Sequence, residues 1–286
     1  MKEHKKLGNI LFATDLSENS ARAIGWLRWF CGNFGSSVDI VYVLNQFPFS
    51  VSAEETAQAR SVASRQFDGF VRKHHLNQKP FAQKLIVGDA AVAVSEFAGK
   101  HDISLVVLGS QAIGLNRLLQ GSISEEVFRS VDCPVLTVGP RAKSPRGQDG
   151  ISHVLFATNL EKRSESVFPH FEFLFKGNSR PELALAHFLG KESKSVVERH
   201  KTRKRLRGKL INLVPEEVRS QIDDVVVESC SPVNGILELS REGRFDLVVL
   251  GVKDARPFTR AATHRPRSIT HQIIQHATCP VLTIRV

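Results

Sequence analysis

The chain has little of what marks the more specialised protein classes. It holds four cysteines in 286 residues, Cys31, Cys133, Cys230 and Cys279, and none of them stands in CxxC or other metal-ligand spacing. That argues against a disulfide scaffold or a zinc module, and the four read as reduced, buried thiols. No apolar run approaches the roughly 20 residues needed to span a bilayer, so no membrane association is expected. The opening MKEHKKLGNILFATD is basic but has no long apolar segment and no small-residue cleavage site, so a cytoplasmic placement is expected. Eleven histidines include His271 and His276, but a spacing of five does not put two ligands on one helix face, and no metal site is expected. No GxxxxGK[ST] or GxGxxG follows the first strand-like segment, which disfavours the usual NTPase and dinucleotide folds. GxSxG and HExxH are also missing, no nucleophile, base and orienting group can be assembled, and an ordinary enzyme is not expected.

What the chain does have is a long internal repeat. ILFATDLSENS at Ile10 returns as VLFATNLEKRS at Val154, a shift of 144 positions, with Asp15 exchanged for Asn159. LVVLGS at Leu105 returns as LVVLGV at Leu247, and CPVLTV at Cys133 as CPVLTI at Cys279, shifts of 142 and 146. Solenoid units recur every 20 to 50 or so residues, so this period is a domain length and the chain is a tandem duplication. The expected organisation is one domain over residues 1–140, a linker over 141–150 within the Gly-, Pro- and charge-rich GPRAKSPRGQDG, and a second domain over 151–286.

Within the first copy, apolar strand-like runs alternate with helical patterns. NILFAT, SVDIVYVLN, FAQKLIV, ISLVVLG and PVLTV read as strands. Between them fall a helix carrying Ile24, Leu27, Cys31 and Phe34, and a long helix over 52–76 with Ala59, Val62, Ala63, Phe67, Phe70 and Val71 on one face. A third helix lies in DAAVAVSEFAGKH and a fourth turns Ile123, Val127 and Val131 inward. The second copy repeats the order, with a Phe-rich helix in VFPHFEFLF, a basic helix near 193–212 and a helix near 267–277. Strict alternation with nearly continuous apolar strands predicts two tandem, doubly wound, five-stranded parallel-sheet α/β domains. PVLTV and PVLTIRV end the two copies. An apolar terminal strand leaves an edge to be covered, so the copies are expected to pair as an internal pseudo-dimer, and further pairing between chains is expected.

Ligands of open α/β sheets sit at the carboxyl ends of the strands where the strand order reverses. Those ends carry Thr14-Asp15, the Val43 region and Gly109-Ser110. Position alone leaves two readings open for Asp15, an acceptor for a ribose hydroxyl or amine and a helix cap. The segment GSQAIGLNRLLQGSISEE holds Gly109, Gly114 and Gly121, which allow close backbone approach. Gly121-Ser122 opens a helix, where backbone N–H groups favour phosphate and Ser122 and Ser124 add hydroxyls. The alternative is a plain connection in which Ser122 and Glu125 form a capping box.

Taken together, ILFATDLSENS, VGDAAVAVSEFA, LVVLGS, GSISEEVFRSVDCPVLTV and their counterparts in the second copy resemble the universal stress protein family over nearly the whole chain. The resemblance implies an adenine-nucleotide-binding fold in one branch of the family, a non-binding branch in another, and pairing through the last strand. It places ATP, with Mg as an accompanying ion, against Ala13, Thr14, Asp15, Val43, Gly109, Gly121, Ser122, Ile123 and Ser124. The family loop is G-x2-G-x9-G-[ST]. Here Gly121 follows Gly109 by 12 positions where the pattern has 13, and Ala112 stands at its second glycine. One residue of chain reaches about 3.3 to 3.6 Å, enough to displace a hydrogen-bond donor. In the second copy Asn159 replaces the acid and no glycine follows Gly251 before Arg267-Ser268, so any nucleotide site is expected in the first copy only. The implied function is a stress-response, ATP-binding regulatory protein. The alternative is a nucleotide-free protein of the same type acting through protein contacts and dimerisation.

The formal net charge is +10, and KTRKRLRGK at Lys201 to Lys209 is the densest basic run. Leu206, Leu210 and Leu213 supply an apolar stripe beneath it and no aromatic residues alternate with the charges. It reads as a solvated helix face, and a nucleic-acid partner is not expected.

Overall fold

The computed structural model describes residues 7–45, 52–110, 123–145, 150–161, 163–176, 180–190, 196–241, 244–253 and 268–286. In the first copy β1 (Asn9–Thr14), α1 (Glu18–Ala21) and α2 (Ile24–Phe34) lead to β2 (Val38–Leu44), α3 (Ala53–Lys73) and β3 (Phe81–Val87). Then come α4 (Ala90–Lys100), β4 (Ile103–Gly109), α5 (Ile123–Ser130) and β5 (Val135–Val138). The second copy has β6 (His153–Ala157), α6 (Phe173–Lys176), β7 (Glu182–Phe188), α7 (Val196–Asn212) and β8 (Ile222–Glu228). It continues through α8 (Pro232–Arg241), β9 (Leu247–Val252), α9 (Ile269–His276) and β10 (Val281–Arg285).

Each copy is a parallel sheet, in the order β3-β2-β1-β4-β5 and β8-β7-β6-β9-β10, and the two merge into one ten-stranded sheet. β1 and β4 are neighbours although α2, β2, α3 and β3 lie between them in the chain, so the order reverses at β1. The seam is antiparallel: Leu136 of β5 stands opposite Leu282 of β10, flanked by the pairs Thr137–Val281 and Val135–Thr283. The edges that the terminal strands would leave bare are thereby used up inside one chain.

Central strands are buried on both faces, as β1, β4, β6 and β9 show. The outer strands face water along much of their length, β3 with Ala82, Gln83 and Lys84 exposed and β8 with Asp223 and Glu228 exposed. α3 packs on β2 through a narrow stripe of Ala63, Phe67, Phe70 and Val71, and Val62 is 39% exposed, outside the inward face expected for it. Ile123 is a second departure, at 51% exposed. It opens α5 at the carboxyl ends of the strands, where the sheet beneath it stops. The Phe-rich segment of the second copy is not one helix. Ser164–Ser166 and Phe168–His170 form two 3-10 turns before the single turn of α6. Pro169 has no N–H for an α-helical bond and its ring crowds the preceding turn. Phe168, Phe171 and Phe175 still pack together in the core.

The described part of the connection between the copies is bound to both. Lys143 N donates to Thr278 O at 3.0 Å, and Trp26 Nε1 donates to Lys143 O at 3.2 Å. Gly150, at φ +40°, lies so close to Trp29 that a Cβ there would come within 1.9 Å of the indole nitrogen. All four cysteines are free thiols. Cys279 is buried, and the other three are half-buried rather than fully enclosed.

Candidate functional site

The carboxyl end of β1 is shaped by one tight turn. Thr14 Oγ1 accepts from Leu16 N at 3.0 Å and lies 2.8 Å from Ser20 Oγ. Ser20 Oγ spends its own proton on Ser17 O at 2.9 Å, so the Thr14 hydroxyl is the donor between the two. Asp15 Oδ1 accepts from Ser17 N at 3.1 Å and from Ser17 Oγ at 2.6 Å, an Asx-type turn that sets Ser17 to cap α1. Leu16 is held at φ +62°, a region costly for a residue with a Cβ. Asp15 is exposed, Ala13 and Val43 are half-buried and Thr14 is buried. The structure therefore brings Asp15 and Val43 to the ends of adjacent strands, while the Thr14 hydroxyl is engaged inside the turn.

Gly109 ends β4, next to β1, and its role here is close packing. A Cβ would lie 2.3 Å from Ser20 Cα and 2.7 Å from Asn19 O, so the backbone of α1 occupies the space that the missing side chain frees. Ser110 follows, 3% exposed. Its hydroxyl accepts from Gln275 Nε2 of α9 at 2.7 Å, a bond from the second copy to the start of the glycine-bearing segment. Aligned on the repeated CPVLT motif, Gln275 corresponds to Arg129 of α5. Arg129 reaches the other way, its Nη1 donating to Lys253 O at 3.1 Å just after β9. Each copy's last helix thus holds the other copy's post-strand segment.

Gly121 and Ser122 lie outside the described residues, as does Gly114. Ile123 and Ser124 are the first two residues of α5, the former exposed and the latter half-buried. Further along α5, burial first and the neighbouring Asp89 carboxylate second push the Glu126 carboxyl above its usual range. Among the described residues no cluster of three or more His, Cys, Asp or Glu side chains has the arrangement of a metal site.

The second copy repeats the turn without the acid. Thr158 Oγ1 donates to Ser164 Oγ at 2.9 Å, Leu160 N donates to Thr158 Oγ1 at 3.1 Å, and Leu160 sits at φ +58°. Asn159 Oδ1 accepts from Glu161 N at 3.2 Å, the counterpart of the bond from Ser17 N to Asp15. The exchange of Asp15 for Asn159 therefore keeps the turn-forming acceptor and loses only the charge. Strand register makes Phe188 the counterpart of Val43. Phe188 is 9% exposed and its ring lies flush on α8, where a Cβ at Gly235 would fall 2.1 Å from Cε1. Beside it the His187 Nδ1–H donates to Thr158 O at 2.9 Å. Where the first copy has the half-buried Val43, the second has an aromatic ring packed on α8.

The profile of the universal stress protein family matches residues 6–139 and 180–285, once in each copy. The chain belongs to the universal stress protein family. A universal stress protein of Methanocaldococcus jannaschii is 27% identical over 143 residues, covering 45% of this chain and 80% of that one, in keeping with the domain-length repeat. Among solved structures, a universal stress protein from Archaeoglobus fulgidus superposes with a TM-score of 0.70 at 18% identity, over 97% of this chain and 96% of its own. A functionally unknown protein from Pseudomonas aeruginosa gives 0.60 at 11% identity, over 99% and 93%. At such identities these two likenesses speak for the tandem universal stress fold alone.

Sequence reasoning placed Asp15, Val43 and Gly109-Ser110 at strand ends and missed Ser20, Phe188 and Gln275. A signal for Ser20 was present: Thr and Ser six residues apart survive in both TDLSENS and TNLEKRS, although the acid between them does not. The bond between Ser110 and Gln275 had no such signal, because they are 165 positions apart and meet only through the antiparallel seam.

Proposed function

We propose that this universal stress protein is a nucleotide-responsive regulatory protein that binds ATP at the carboxyl ends of β1, β2 and β4 in its first copy, and none in its second. The observation that carries the reading is the contrast between Val43, half-buried at the end of β2, and Phe188, whose ring packs on Gly235 at the equivalent place. A planar base needs an apolar slot of that kind, and a filled slot gives it nowhere to stack. Asp15, exposed beside it, supplies an acceptor for ribose hydroxyls or an exocyclic amine. These groups fit the base and sugar end of the ligand. The phosphate end falls to the segment after Ser110 and the start of α5, which Gly121, Ser122, Ile123 and Ser124 would form. ATP would bring its phosphate charge there, with Mg as the accompanying ion.

Titration calorimetry of ATP into the full chain tests this reading. Asp15→Ala is expected to weaken binding by about 1.5 to 3 kcal/mol, the worth of a hydrogen bond to a charged group, and Asn159→Ala to leave it unchanged. Equal effects at both positions, or no heat from the parent protein, count against the proposal.

One observation favours a second reading, a nucleotide-free protein acting through its surfaces. Gly109, whose family role is close approach to phosphate, is closed over by the Ser20 backbone. Nucleotide carried through purification without added ligand would decide for the first reading.

A further inference from the structure

α7 and α3 occupy equivalent places in the two copies, each leading from the second strand to the third. They differ sharply in charge. α3 interleaves Arg60, Arg65, Arg72 and Lys73 with Glu54, Glu55 and Asp68. α7 carries seven Lys and Arg between Arg199 and Lys209, preceded by a single acid, Glu198. The fold therefore does not ask for a basic helix here, and a solvated face alone does not account for it. A solvated face is usually laced with opposite charges, whereas Lys201–Arg205, Arg203–Arg207 and Arg205–Lys209 are like-charged pairs one turn apart that destabilise a helix.

Leu206 and Leu210 anchor α7 to the sheet and are buried. At about 100° per residue, the arc away from them runs from Arg207 through Lys204, Lys201 and Arg205 to Lys209, and all five are exposed. At its centre is Gly208. A Cβ there would meet nothing within 4 Å, so no packing contact requires glycine, and glycine inside a helix is unfavourable relative to alanine. Its effect is to leave the backbone bare in the middle of the basic arc, where a ligand can come close.

We propose that α7 is a docking surface for the phosphate backbone of double-stranded DNA, bound without sequence preference. The exposed arc offers charge and little else. Its leucines point into the protein, and its one strongly exposed apolar side chain, Val197 at the helix start, is too little to enter a lipid headgroup layer. It has no aromatic residue to stack on single-stranded bases or to anchor a protein interface. A single helix, about 10 to 12 Å across, matches the roughly 12 Å major groove of B-form DNA but not the deep, narrow one of A-form RNA. This site is separate from the strand ends of the first copy and does not depend on nucleotide binding there.

The test is fluorescence anisotropy of a labelled 30-base-pair DNA duplex with the full chain at 50, 100 and 200 mM salt. Binding is expected to weaken about 10³-fold across that range if some six phosphates are contacted. Lys204→Gln, Arg205→Gln and Arg207→Gln together are expected to reduce the slope of log affinity against log salt by about 2 to 3, at about 0.9 per contact. Arg60→Gln, Arg65→Gln and Arg72→Gln on α3 remove equal charge and are expected to leave the slope unchanged. Gly208→Gln is expected to raise the melting temperature while weakening DNA binding several-fold. Melting curves of every variant establish that it is folded. No binding at 50 mM salt overturns the proposal, as does an equal effect of the α3 and α7 variants. So does equal or tighter binding to single-stranded DNA, to an RNA duplex or to anionic vesicles.

Discussion

Gln275 and Ser110 join the two copies of the repeat by a buried hydrogen bond of 2.7 Å, at the point where the chain leaves β4. Gln275→Leu leaves the Ser110 hydroxyl buried and unpaired, which is expected to cost about 1 to 3 kcal/mol in urea unfolding. Ser110→Ala in the Gln275→Leu background should recover part of that loss. A double-mutant cycle measures the coupling, expected at about 0.5 to 3 kcal/mol, and additive single effects would remove the bond from the account.

Gly109 and Gly251 are equivalent in sequence and unequal in space. A Cβ at Gly109 falls 2.3 Å from backbone, whereas one at Gly251 first meets the Val167 side chain at 3.0 Å. Backbone cannot step aside as a side chain can, so Gly109→Ala is expected to destabilise by about 1 to 3 kcal/mol and Gly251→Ala by less. Thermal melting of the two variants provides the comparison.

Asp15 separates structure from ligand. Asp15→Asn retains an acceptor for Ser17 N, as Asn159 retains one for Glu161 N, and is expected to melt within about 0.5 kcal/mol of the parent. Asp15→Ala loses the turn bond and is expected to cost about 1 kcal/mol, on the scale of a capping residue. If the two variants melt alike, the Asx turn carries no stability.

The doubly wound fold class and the tandem repeat were legible because apolar strands and a domain-length period are written locally in segments such as LVVLG and CPVLT. The break in the Phe-rich segment was missed although Pro169 stands within it, because the spacing of the phenylalanines reads as a single helix. Long-range facts were not legible. That Gly109 serves α1 rather than an open cradle depends on where Ser20 lands, and Ser20 is placed by its bond with Thr14. The filling of the second copy's slot required register, because only the pairing of β6 with β7 identifies Phe188 with Val43. Leu16 at positive φ had no sequence signature at all, since nothing but the turn around it demands that conformation.

Burial pushes the Cys133 thiol up to about 11 and the Cys279 thiol up to about 12, from an ordinary value near 9. In the unfolded chain both ionise near pH 9, while the folded chain holds its protons, so the unfolded state binds fewer protons between these limits. Stability is therefore full below about pH 9 and falls as pH rises toward 11 to 12, by up to about 1.4 kcal/mol per pH unit for each thiol. Urea unfolding between pH 8 and pH 10.5 gives the slope. Replacing Cys279 by Ala should flatten it, and an unchanged slope would assign the alkaline loss to other groups.

The asymmetry between Val43 and Phe188 is tested most directly by counting ATP bound per chain in equilibrium dialysis, for the parent and for Val43→Phe. One site per chain in the parent, lost in a folded Val43→Phe protein, is the predicted result. Two sites per chain, none in the parent, or one that survives the phenylalanine would contradict it.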